Sequence, residues 1–162
     1  MRSVRQRGWS ERQVRGAVES GLLLRPREGW VAVRDADPLL VAAARAGVVL
    51  SCITQARRLG LWILRGSDHP HVAAAPSAGG VRAGGATVHW ARPVVPRHPD
   101  ALVDSVENVL SLVAHCLPFE EALTVWESAL DKRLVTLPGL RGCPAKRVTL
   151  RMTRSSCCSG TT

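Results

Sequence analysis

Apolar and polar positions recur along the chain with two periods, and the changes between them mark the elements. From Ser10 onward, Val14, Ala17 and Val18 return at helical spacing and leave Arg12, Gln13 and Arg15 facing outward. Ser10 and Gln13 make an S-x-x-Q capping box, and Gly21 supplies a left-handed stop. Two short apolar runs follow, Leu22 to Arg25 and Trp30 to Val33, on either side of Pro26-Arg27-Glu28-Gly29, whose residues suit a hairpin turn. A helix running into an arginine-tipped hairpin is the layout of a winged helix-turn-helix, a DNA-reading module. Such a module also needs a helix that crosses the DNA backbone. Before the capping box, Met1 to Gly8 could supply only a fragment of that helix, so the first helix is expected to be short or clipped.

Further on, Asp35-Ala36-Asp37-Pro38 reads as a loop with Pro38 in the first turn of a helix that ends at Gly47. Ser51 is expected to cap the next helix, where Ile53, Ala56 and Leu59 share a face and Gly60 ends the pattern. His71 to Pro76 and Thr87 to Ala91 predict strands, joined by a mobile loop, Ser77 to Gly85, with four glycines. Pro93 to Pro99 is a proline-studded link. Val106, Val109, Leu110 and Val113 then form one stripe of a helix over Ser105 to Cys116. Pro118 opens another, with Phe119, Ala122, Leu123, Trp126 and Leu130 on its core face. Thr136 to Thr162 has no period and is expected to be poorly ordered.

These elements predict an α+β protein, a winged helix-turn-helix followed by a small lobe of short strands packed with two amphipathic helices. The boundaries fall at 1–66, 67–135 and 136–162. The five tryptophans, Trp9, Trp30, Trp62, Trp90 and Trp126, are spread one per element, as core anchors are.

Charge sharpens this picture. The formal net charge of +9 is uneven: residues 1–34 hold eight arginines against three glutamates, and residues 132–162 hold seven basic groups and no acid. The middle is mildly acidic. A basic end is the electrostatic footprint of polyanion binding. No apolar run approaches the ~18 residues of a membrane span, and no apolar segment follows the N-terminal arginines as in a signal peptide. A cytoplasmic protein is expected, with no membrane partner.

Reactive constellations are few. His69, His71 and His89 lie on or beside the two strands with Asp68 nearby, and pairing of the strands would bring His71 and His89 together like metal ligands. No third ligand has usable spacing in the sequence, so neither metal nor other cofactor is expected. Cys52 and Cys116 sit in apolar helical patterns and read as buried small hydrophobes. Cys143, Cys157 and Cys158 fall in the tail, and an odd count without C-x-x-C speaks against disulfide or zinc frameworks. Glu120, Glu121, Glu127 and Asp131 form a solvated helix face. No catalytic residue is assigned, and the protein is not expected to be an enzyme.

Several segments together resemble a bacterial family. They are GLLLRPREGWVAV, VVLSCITQARRLGLWIL, HPHVAAAP, VHWARP and CLPFEEALTVWESALDKRLV, covering roughly Ser10 to Leu140. In order and spacing they are similar to the winged-helix domain of AbiEi-type antitoxins of type IV toxin–antitoxin systems. Members of this family often end in a Vsr-like endonuclease domain of the PD-(D/E)XK class. The chain has no acid after Asp131, so the metal-binding carboxylates of that chemistry are missing. The tail is expected to be truncated or out of frame, which nuclease-like sequence in another reading frame past codon 140 would support and its absence would refute.

The resemblance implies a non-enzymatic DNA-binding regulator. Arg12, Gln13 and Arg15 would face the groove, where Arg can bond guanine and Gln adenine. Arg25 and Arg27 at the wing, with Arg5 and Arg7, would contact phosphates. The partner expected is double-stranded DNA. A cognate toxin docked on the acidic helix face is the alternative, in which the chain is a protein-interaction module or an inactive endonuclease-family remnant.

Overall fold

The computed structural model describes residues 8–75, 79–81 and 83–136. It is an α+β protein in which each predicted helix and strand appears near its expected place. Helix α1 (Glu11–Glu19) begins with both halves of the capping box in place. It runs into an antiparallel pair, β1 (Leu23–Leu24) and β2 (Ala32–Val33), with Leu23 opposite Val33 and Leu24 opposite Ala32. Helix α2 (Pro38–Ala46) is capped by the Asp37 carboxylate, which accepts from the Leu39 amide at 2.8 Å, and ends at Gly47 with φ +69°. That left-handed turn is open to glycine without a Cβ penalty.

The chain then enters its core. Strand β3 (Val49–Leu50) leads into α3 (Cys52–Arg58), and β4 (His71–Ala73) and β5 (Thr87–His89) follow. The sheet order is β3-β4-β5, with β3 antiparallel to β4 and β4 parallel to β5. Parallel neighbours cannot be joined by a tight turn and need a crossover of roughly a dozen residues. The glycine-bearing segment between β4 and β5 is that crossover. Beyond β3, the Leu50 amide donates to Leu102 and the Asp104 amide donates back to Leu50, so residues 102–104 extend the sheet edge.

Helices α4 (Val106–Cys116) and α5 (Phe119–Asp131) cover one side. Their buried apolar positions are Val109, Leu110, Leu112 and Val113 on α4 and Ala122, Val125, Trp126 and Ala129 on α5. With Cys52, Ile53 and Ala56 of α3 these form the main core. The Trp126 indole N–H donates to the Leu110 carbonyl at 3.1 Å, and the Trp62 amide donates to the buried Ser128 hydroxyl at 3.0 Å. Each bond ties α5 to a neighbouring segment.

Several expectations change. Across residue 66, α3 packs with α4 and β3 pairs with β4. Among the tryptophans only Trp126 is a core anchor. Trp9, Trp62 and Trp90 are about half exposed, since they lie at an end of α1, just after α3 and beyond the edge strand β5. Phe119 is exposed as well: it is the first residue of α5, and the buried apolar face is carried by Ala122, Val125, Trp126 and Ala129 farther along. Ser51 makes no side-chain cap for α3; its hydroxyl donates instead to Asp104 at 2.7 Å. The expectations placed on residues 137–162 and on part of the glycine loop lie outside the described residues.

Asp104 is the hub of a buried polar network. Arg97 reaches it with two donors, Nε to Oδ1 at 2.9 Å and Nη2 to Oδ2 at 2.8 Å, and Asn108 Nδ2 adds a third at 2.8 Å. Asn108 also exchanges two hydrogen bonds with the Val95 backbone. The proline-rich link is therefore fastened to α4 by satisfied polar groups, the condition under which burying them is tolerated.

Candidate functional site

Two places collect the candidate residues, and they differ in kind. The first is the arm formed by α1 and the β1–β2 hairpin. Helix α1 buries none of its residues, and Arg12, Arg15 and Arg25 are exposed. Arg27 is exposed too, but its guanidinium stacks over the Trp30 ring at 5.1 Å. Its Nη1 also comes so near Gly47 that a Cβ there would meet it at 2.9 Å. Arg27 thus lies between the hairpin and the end of α2, not at a free wing tip. Arg5 and Arg7 are outside the described residues.

Gln13 has a different task from the one its sequence position suggests. Its Oε1 accepts from both the Ser10 amide and the Ser10 hydroxyl, each at 2.8 Å. An amide oxygen has two lone pairs. With both engaged, the bidentate pairing that reads adenine is unavailable unless the cap opens. The helix start and the base contact compete for one atom, and the cap holds it.

The second place is a cluster that sequence spacing concealed. Parallel pairing sets His71 opposite Thr87 and Ala73 opposite His89. Because strand side chains alternate, His71 and His89 share one face of the sheet, offset by two residues. Their rings meet with His71 Nδ1 3.2 Å from His89 Nε2. Cys52 at the first residue of α3 and Cys116 at the last residue of α4 close on the same point. Cys116 Sγ is 3.6 Å from His71 Nδ1. One ligand atom from each of the four residues lies within 4.8 Å of the other three.

The expectation that the histidines lack a third ligand is therefore corrected. The missing groups are the two cysteines, which read as apolar core because each sits in an amphipathic helical pattern. His69 and Asp68, the neighbours in sequence, are exposed and stand apart from the cluster. The one usable signal in the sequence was the pair of cysteines at a helix start and a helix end.

The environment fixes protons as well as atoms. The Ser67 hydroxyl donates to the His69 carbonyl at 2.9 Å, so its oxygen is left to accept from His71 Nε2 at 3.1 Å. That bond puts the His71 proton on Nε2 and aims the Nδ1 lone pair into the cluster. Burial lowers the His71 pKa, which keeps the ring neutral. The neighbouring Cys116 and full burial push the Cys52 thiol up, while the neighbouring Cys52 and His89 push the Cys116 thiol down. Cys52 itself has φ +48°, an uncommon value for a non-glycine residue that persists only where the surroundings over-determine it.

No protein-family model, curated protein or solved structure matches the chain.

Proposed function

We propose that the protein is a duplex DNA-binding regulator of the cytoplasm, built like an AbiEi-type antitoxin domain and working without catalysis. The observation that carries this reading is the arm. A nine-residue helix with no buried residue presents Arg12 and Arg15 to solvent and leads directly into a hairpin bearing Arg25 and Arg27. In the winged-helix reading, Arg12 and Arg15 reach base edges or phosphates in the major groove and the hairpin arginines lie along the backbone. Gln13 positions the helix instead of reading a base. Arg5 and Arg7 would add phosphate contacts. Among the described residues no helix is long and apolar enough to cross a membrane.

Fluorescence anisotropy of a labelled duplex across a salt series tests the proposal. If about four phosphates are neutralised, log affinity falls against log salt with a slope near −3.6. Arg25→Ala with Arg27→Ala should make the slope shallower by roughly 1.8. Binding that ignores salt, or ignores the double substitution, would falsify the reading.

A further inference from the structure

We propose that Cys52, His71, His89 and Cys116 bind one divalent transition-metal ion of the zinc class, as a closed structural centre. Two thiolates and two imidazoles are the donor set that favours tetrahedral zinc over harder cations. The distances agree. Metal–nitrogen bonds of about 2.05 Å and metal–sulfur bonds of about 2.3 Å require a nitrogen–nitrogen edge of about 3.3 Å and a sulfur–nitrogen edge of about 3.6 Å. The observed edges are 3.2 Å between the histidines and 3.6 Å between Cys116 and His71. All four ligand atoms already lie within 4.8 Å of one another, so closing onto edges of about 3.3 to 3.8 Å asks for shifts of no more than about 1.5 Å.

Three further observations fit a resident ion. Ser67 holds the His71 proton on Nε2, the kind of outer hydrogen bond that orients a metal-bound histidine and leaves its other nitrogen free to coordinate. Charge balances, since a divalent cation with two thiolates and two neutral imidazoles is neutral overall. A neutral centre suits a place where Cys52 and His71 are buried. Binding displaces the thiol protons to the solvent and changes no oxidation state.

Four protein ligands fill a tetrahedral shell and leave no open position for substrate, so the role is structural. The ion would join the start of α3, the end of α4 and both parallel strands at one point. His71 and Cys116 are 45 residues apart in sequence, so the tie closes a long loop.

The full chain, expressed with zinc in the medium and purified without chelator, should carry about one zinc per molecule by elemental analysis. Exchange for Co²⁺ should give the intense visible absorption of tetrahedral cobalt together with thiolate-to-metal charge transfer. Cys116→Ser and His89→Gln should each remove both signals, and His69→Gln should keep them. Should a ligand variant fail to fold, Ser67→Ala decides: the protein stays folded and its zinc affinity, measured against a chromophoric chelator, weakens roughly 10- to 100-fold. Metal-free protein that stays folded and takes up neither Zn²⁺ nor Co²⁺ would overturn the proposal. So would a Cys52–Cys116 disulfide in the purified chain, or zinc retained by the His89→Gln variant at unchanged affinity.

Discussion

The arm and the body of this protein are built on opposite principles. Between Gly8 and Ala42 no residue is buried, and Leu22 and Val33 are mostly in solvent. The arm is held by its own cap, by a short two-rung hairpin, and by charged contacts. These include Arg34 to the Gly21 carbonyl and, at its junction with the body, Arg58 to Asp37. The body from Ala43 onward buries Leu50, Val109, Leu110, Val113 and Val125 almost completely and adds the Asp104 network and the Cys–His cluster. A region with few buried apolar contacts opens at a much lower free energy than a packed core. A surface that must fit a partner can be kept this loose, whereas the body fixes where that surface stands.

The sharpest way to break this comparison is to damage the body. Asp104→Ala removes the common acceptor of three side chains, Ser51, Arg97 and Asn108, and leaves Arg97, largely buried, without its partner. A loss of roughly 3–5 kcal/mol in denaturant-measured stability is expected. A change below about 1 kcal/mol would show that the network is not central to the body.

A smaller effect belongs to the arm. Ser10→Ala deletes the capping hydroxyl that accepts from the Gln13 amide, at a cost near 1 kcal/mol to α1. Hydrogen exchange should quicken in α1 amides while the midpoint of global unfolding stays put. A parallel fall in body protection would mean that the two regions unfold together.

The smallest effect sits at the junction. The Arg58 guanidinium beside Asp37, helped by the Leu39 amide, holds the Asp37 carboxyl below its ordinary value of 3.8. A group depressed in the folded state contributes stability that is complete above its unfolded value and is lost as pH falls through the folded one. The wild type should therefore exceed Asp37→Asn in thermal stability near neutrality, modestly because the pair is partly exposed. That margin should vanish as pH drops below 3.8; an unchanged margin there would exclude the ion pair as its source.

Local chemistry is legible in this chain wherever one short segment decides it. The Ser10–Gln13 box, Pro38 at a helix start and Gly47 at a helix end are settled by neighbours within four residues. Ser51 shows the limit, because its hydroxyl could cap the adjacent helix or bond a residue 53 positions away, and packing chose Asp104. Gln13 shows a related one: its residue type fits both cap and base contact, and only coordinates reveal which atom is engaged.

By itself, then, the sequence determined the order of helices and strands, the exposed arginines of the arm and the apolar stripes of α4 and α5. Those depend on periodicity and short-range hydrogen bonds. Tertiary structure alone decided that β4 and β5 run parallel, that α3 belongs to the core of α4, and that Cys52, His71, His89 and Cys116 converge. The reason is physical. A buried cysteine on a helix face looks the same to its neighbours whether it packs against leucine or points at a histidine, and only the closing of long loops tells the two apart.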